Sequence, residues 1–234
     1  MTPALHGIAA ITLDLDDTLW PVRPTLLAAE KVLADWLAVH APATARGLPP
    51  AAMLALRAQV AAAHPQWSHD LSAIRLETLR RGLRLHGEDP ALAEEAFDVF
   101  FGARHAVTLY DDVLPALERL AARHRLVAVS NGNAELHRVG LDRFFAGGSV
   151  SARLHGVAKP DPSIFRAACA AAGAAPHQVL HLGDDLVTDV DGALAAGLHA
   201  GWICRPDGAH AADDPRAGAH RFADLVAVAD ALGA

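Results

Sequence analysis

The chain has 234 residues, of which 52% are hydrophobic and 20% charged, enough apolar material for a buried core and too much for a disordered polymer. A formal net charge of −7 argues against a nucleic-acid binder, which needs a basic face to release counterions. Cys169 and Cys204 are the only cysteines, which gives no disulfide framework and suits a reducing cytoplasm.

The first seventeen residues carry neither a basic start nor a sustained apolar run, and no stretch approaches the roughly 20 apolar residues of a spanning helix. A soluble, cytoplasmic protein with no membrane or nucleic-acid partner is expected. Ile8 to Leu13 is a short, β-branched apolar run ending at a carboxylate, which suits a strand buried on both faces.

Residues from about Val22 to Val107 have a different texture, with amphipathic stretches at Leu26 to Val39, Ala51 to Ala63, Leu71 to Leu85 and Pro90 to Phe101. They predict a small helical bundle inserted after the first strand. Three further strand-like runs follow: Leu126 to Val129 ending at Ser130, Val179 to Leu182 ending at Gly183-Asp184, and Ala200 to Cys204 ending at Arg205-Pro206. Between them, Asp161-Pro162 opens a helix that Gly173 stops, and another runs from about Val187 to Ala196 and stops at Gly197. Strands alternating with helices predict an α/β fold with a parallel, Rossmann-like sheet in residues 1–21 and 108–234, and a helical cap in 22–107.

Polar clusters sit where these strands end, and in an open α/β sheet that edge faces the ligand crevice. Asp14-Leu15-Asp16-Asp17-Thr18 follows the first run, Ser130-Asn131-Gly132 the second, and Gly183-Asp184-Asp185 with Asp189 the third. Any one alone reads as well as a turn or a helix cap. Three at successive strand ends are hard to attribute to chance turns. Lys159, one of only two lysines, stands before Pro160, which holds its backbone extended ahead of the next helix and can aim its ammonium into a crevice. The 14 histidines are scattered and form no paired zinc spacing with the cysteines.

DLDDT at Asp14 to Thr18, the strand ending in Ser130, GVAKP around Lys159 and GDDLVTD from Gly183 to Asp189 resemble, in order and spacing, the four motifs of the haloacid dehalogenase superfamily, with the insert resembling its helical C1-type cap. The resemblance implies a magnesium-dependent phosphomonoesterase in which Asp14 is the nucleophile and Asp16 the general acid/base. It implies that Asp14, Asp184 and the backbone carbonyl of Asp16 hold Mg2+. Ser130 and Lys159 would then neutralise phosphoryl oxygens, together with backbone N–H groups near Asn131 and Gly132. Thr18 joins the substrate-binding set while bracing the turn after the nucleophile. Asp189 and Asp185 are placed behind the metal ligands, with Asp185, like Asp17, left open between metal contact and a solvated or loop-bracing role.

Dehalogenases of this fold lack the acid two residues after the nucleophile, so Asp16 favours phosphoryl transfer. A phosphomutase would share the motifs. A non-catalytic phospho-ligand binder would be expected to have lost Asp14, Asp16 or Asp184. A finer likeness, to bacterial flavin mononucleotide phosphatases that also act on a ribitylaminouracil phosphate, rests on LDLDDTLW with Arg23-Pro24, on Ser68-His69-Asp70-Leu71 with Arg75, and on SNGN from Ser130. It makes a small phosphorylated metabolite the expected partner, with His69, Asp70 and Arg75 as cap residues that meet it.

Overall fold

The computed structural model describes residues 5–205 and 218–234. Its contacts divide the chain into two compact units, Met1–Pro21 with Thr108–Ala234, and Val22–Val107.

In chain order the elements are β1 (Ala10–Leu13), then α1 (Val22–His40), α2 (Pro42–Gly47), α3 (Pro50–Ala63), α4 (Leu71–Leu85) and α5 (Leu92–Arg104) of the second unit. The first unit resumes with α6 (Val113–Ala121), β2 (Arg125–Ser130), β3 (Ser149–Ser151), α7 (Ala152–His155), α8 (Pro162–Ala172) and β4 (Val179–Gly183). It ends with a π-helical turn (Leu186–Asp191), α9 (Gly192–Ala195), β5 (His199–Ile203), β6 (Ala219–Phe222) and α10 (Leu225–Leu232).

The strands form one parallel sheet in the order β3-β2-β1-β4-β5-β6. β1 lies at its centre and is buried at every position, which explains why it reads as an unbroken apolar run rather than an alternating one. Because β2, β1 and β4 are parallel neighbours, their ends leave the sheet at the same edge, and strands are spaced only about 4.8 Å apart. Asp14, Ser130 and Asp184 are thereby brought together by topology alone. One face of the sheet packs on α8 through Ile164, Phe165, Ala168 and Ala172, which meet Val127, Val129 and Val179.

The helical unit closes on its own core. Ala29, Leu33 and Leu37, four residues apart on α1, meet Ala93, Ala96 and Phe100 of α5 and Leu79 and Leu83 of α4. Each such leucine contributes roughly 1.5–3 kcal/mol on burial.

Several sequence expectations need extension. β3 and β6 are short edge strands, too brief and too polar (SVS, AHRF) to stand out as apolar runs, and α2 is a single turn-and-a-half within PATARG. Pro206, which followed the last expected strand, lies outside the described residues. The helix expected from Val187 begins as a π-turn, because Asp185 caps Val187 N–H and Thr188 N–H while the Val190 N–H reaches back five residues to the Asp185 carbonyl at 3.2 Å. A wide turn of this kind re-aims a side chain, and here that side chain is Asp189. No described helix is long and apolar enough to cross a membrane.

Candidate active site

Asp14 is the first residue beyond β1, and its N–H donates to the Leu182 carbonyl of β4 at 2.8 Å, continuing the ladder. The chain then turns sharply: Leu19 N–H donates to Leu15 O and Asp17 N–H to Trp20 O, with Asp17 at a φ of 60°. Aspartate tolerates that left-handed conformation better than most residues. The turn presents Asp16, whose Oδ1 accepts the Trp20 indole N–H at 2.8 Å. Arg205 holds the same turn from beneath, donating to the Thr18 carbonyl and to Asp112 Oδ1, both at 2.6 Å, and lying over the Tyr110 ring.

Lys159 reaches this point from the loop ahead of α8, through a cis peptide to Pro160. Its Nζ donates to Asp14 Oδ1 at 2.5 Å and to Asp189 Oδ1 at 2.6 Å, with the lysine and Asp189 side chains each 2% exposed. Burial alone would favour a neutral amine, but the two carboxylates outweigh it and hold Lys159 protonated above its usual range.

Asp189 is saturated with donors. Besides Lys159 it accepts from Asp185 N–H on Oδ2 at 3.0 Å and from His181 Nε2 on Oδ1 at 3.2 Å. Burial works against its charge, yet Lys159 and His181 hold its carboxyl well below the ordinary carboxylate range. Gly183 makes the approach possible, since a Cβ there would sit 2.2 Å from the Asp189 carboxyl carbon.

Asp14 shares the cluster under worse terms. Burial, then the nearby Asp189 and Asp184 charges, push its pKa well above the usual value despite the opposing pull of Lys159. Asp184 accepts from the Thr18 hydroxyl at 3.0 Å, and burial followed by Asp189 pushes its carboxyl up to about 7. The Trp202 indole donates to the Asp184 carbonyl at 2.8 Å and fixes its backbone.

Asp14, Asp184 and Asp189 can bring one carboxylate oxygen each within 4.8 Å of one another. Three carboxyl groups against one ammonium crowd acidic oxygens in one site and raise two of their pKa values, and hard oxygen donors of this kind suit a divalent cation such as magnesium. Asp189 already has its oxygens engaged by three donors, so Asp14 and Asp184 are the residues whose chemistry fits the ion.

The other sequence-expected residues are also placed. Ser130 is buried at the end of β2, where its Oγ accepts Gly132 N–H at 2.9 Å. The Asn131 side chain is turned to the Lys159 backbone, not left as a loop amide: Nδ2 donates to Lys159 O at 3.0 Å and Oδ1 accepts Lys159 N–H at 2.7 Å. Thr18 is fully buried on Asp184. Asp185 caps the π-turn.

In the helical unit, Asp70 caps α4 by accepting Ala73 N–H at 2.9 Å, and His69 stands half-buried in the turn before it. Arg75 is buried, with its Nη2 on Glu30 Oε1 at 2.8 Å and its guanidinium over the Phe100 ring, 3.4 Å from the centroid. Cys169 and Cys204 are both free thiols.

Sequence reasoning missed His181 and Thr12. They face each other in the β1–β4 register, and Thr12 Oγ1 lies 2.8 Å from His181 Nδ1. The only signal is a polar residue in the middle of each of two otherwise apolar strands. Among 14 scattered histidines that signal does not stand out, yet His181 is 1% exposed.

Residues 8–197 match the family model described as haloacid dehalogenase-like hydrolase. The chain is 33% identical to the 5-amino-6-(5-phospho-D-ribitylamino)uracil phosphatase YigB of Escherichia coli K12, over 87% of this chain and 86% of that protein. It is 33% identical to a phosphoserine phosphatase of Thermus thermophilus, over 62% of this chain and 61% of the other. Among solved structures, one named as a 2-haloacid dehalogenase, from Pseudomonas syringae pv. Tomato DC3000, superposes with a TM-score of 0.89 at 34% identity, covering 97% of this chain and 98% of its own. With residues 8–197 matched by that family model and a relative at 33% identity covering 87% of it, the chain belongs to the haloacid dehalogenase-like hydrolases.

Proposed function

We propose that the protein is a magnesium-dependent phosphomonoesterase acting through an aspartyl-phosphate, with flavin mononucleotide or a ribitylaminouracil phosphate as substrate. The observation that carries the reading is the joint placement of Asp14 against Lys159 and Asp184, with a second carboxylic acid, Asp16, on the turn that follows. The named activity of the E. coli relative supports the substrate class.

In this reading an Asp14 oxygen attacks phosphorus in line, the bond from phosphorus to the ester oxygen breaks, and Asp16 gives that oxygen its proton. Asp16 then takes a proton from water as it attacks the acyl-phosphate, releasing inorganic phosphate and restoring Asp14. The Lys159 ammonium, the Ser130 hydroxyl and N–H groups at Asn131 and Gly132 bind the phosphoryl oxygens. Asp14, Asp184 and the Asp16 carbonyl would hold magnesium, which supplies positive charge to the phosphoryl group as negative charge shifts to the leaving oxygen. The helical unit would set specificity, with His69 meeting the substrate and Arg75 acting through the packing it braces.

Dehalogenation of a 2-haloacid is a second reading, favoured by the likeness to the Pseudomonas protein named as a 2-haloacid dehalogenase. A halide needs no proton to leave, so Asp16 would have no task there. The deciding experiment measures kcat/KM for flavin mononucleotide, the ribitylaminouracil phosphate, phosphoserine and sugar phosphates, with magnesium and with chelator, beside halide release from 2-chloropropionate. Phosphate release that chelator abolishes is the expected outcome. Halide release without phosphate release would overturn the proposal.

A further inference from the structure

The helical unit contains a cleft that the proposed chemistry does not use. A cavity of about 440 Å³ lies between α1, α3 and α4, and every residue lining it belongs to Val22–Val107. Its walls are mainly apolar, with Leu26, Leu33 and Leu37 on α1, Met53 and Leu54 on α3 and Leu79 on α4. Small-molecule sites are built on this scale and in this way, as apolar hollows of roughly 300–1,000 Å³ with a few converging polar groups.

Two of its cationic side chains converge on one atom. Glu30 Oε1 accepts from Arg75 Nη2 at 2.8 Å and from Arg57 Nη1 at 3.3 Å. Arg23 also lines the cleft, and Glu30 is its one acid among the described lining residues. Two guanidiniums therefore share one carboxylate, and a third lines the same cleft. Arg75 bears most of the imbalance because its side chain is only 11% exposed. Its pKa is lowered, first by burial and also by repulsion from Arg57, although Glu30 opposes both. A buried cation beside a like charge and an apolar hollow is a receptor for an anion, since a guanidinium offers several donors to a carboxylate or sulfonate.

We propose that this cleft binds an amphipathic organic anion, an apolar body carrying a single carboxylate or sulfonate, as a ligand additional to the phosphorylated substrate. The head group would join Arg57 and Arg75 opposite Glu30, and the body would lie along the leucines of α1. The surplus positive charge selects this occupant over a neutral or cationic one of equal size.

The test titrates the full-length protein with 1-anilinonaphthalene-8-sulfonate, whose fluorescence rises when it leaves water. One saturable site per chain is expected, displaced by decanoate and left in place by decyltrimethylammonium and by inorganic phosphate with magnesium. Arg57→Ala removes one cation, and Leu54→Glu puts an acid on the rim, where Leu54 is 58% exposed and a substitution is easily accommodated. Each should weaken the dye by about tenfold or more, while circular dichroism and turnover of a small aryl phosphate remain at wild-type level. Unchanged binding in both variants, displacement by phosphate, or equal displacement by the cationic detergent would overturn the proposal. So would absence of binding by a wild-type dimer that Leu54→Glu converts to monomers, because the occupant would then be a second copy of the chain.

Discussion

Asn131 and Lys159 hold each other through both ends of one amide: the Lys159 N–H donates to Asn131 Oδ1 at 2.7 Å while Asn131 Nδ2 donates to the Lys159 carbonyl at 3.0 Å. The pair ties the end of β2 to the loop before α8, so the base of the lysine is fixed 28 residues away in sequence. Asn131→Asp keeps the shape but turns one hydrogen bond into a contact between two acceptors. Since leaving such a group unsatisfied costs about 1–3 kcal/mol, kcat on a phosphoester should fall roughly 5- to 150-fold. Steady-state kinetics check this, and a wild-type kcat in Asn131→Asp would show that the amide does not position Lys159.

His181 and Thr12 should behave as one unit behind the site. Burial lowers the His181 pKa, so the ring is neutral near pH 7; with Thr12 donating to Nδ1, Nε2–H is left to donate to Asp189. Thr12→Val and His181→Leu should each reduce stability by about 1–3 kcal/mol, and the double variant should lose less than their sum because both break the same chain of bonds. Urea unfolding of the four proteins measures this. Full additivity would mean that the two residues act independently.

Much of the site was legible in the sequence because its chemistry sits at strand ends. Asp14, Ser130 and Asp184 each follow an apolar run, and a parallel sheet gathers such ends at one edge. The hidden parts depend on long-range register and on local turn geometry. That Thr12 meets His181 follows only from the pairing of β1 with β4, 169 residues apart, and the π-turn that aims Asp189 follows from how Asp185 caps its own helix. Arg75 shows the same limit from the other side. Its spacing on α4 places it on the helix, but only packing reveals that Phe100 and Glu30 already engage its guanidinium.

Asp14→Asn should separate function from stability. The amide is no anionic nucleophile, so turnover should disappear. Burial and then the neighbouring carboxylates disfavour the Asp14 charge, and Lys159 keeps Asp189 as a partner after the change. The metal-free variant should therefore melt a few degrees above wild type, corresponding to roughly 1 kcal/mol in a chain of this size. A scanning calorimetry trace with a lower Tm would show that the Lys159 contact outweighs the crowding of like charges.

Asp184 supplies the clearest dependence on pH. Its carboxyl is pushed up to about 7 in the folded protein, first by burial and next by Asp189, against an ordinary value of 3.8. The sign follows directly. Below about pH 4 the group is protonated in both folded and unfolded chains and costs nothing. Between about 4 and 7 the unfolded chain ionises while the folded one keeps its proton, so stability falls as pH rises, and above about 7 the loss is complete. Metal-free Asp184→Asn should accordingly be more stable than wild type at pH 8, with the difference shrinking toward pH 4. Magnesium must displace the same proton, together with any that Asp14 still holds, so its apparent affinity should rise by about tenfold or more per pH unit below about 7. Thermal melts and magnesium titrations across pH 5 to 9 read both effects. A flat magnesium affinity over that range would remove Asp184 from the metal site, and a stability difference that grew toward acid would reverse the assigned direction of its shift.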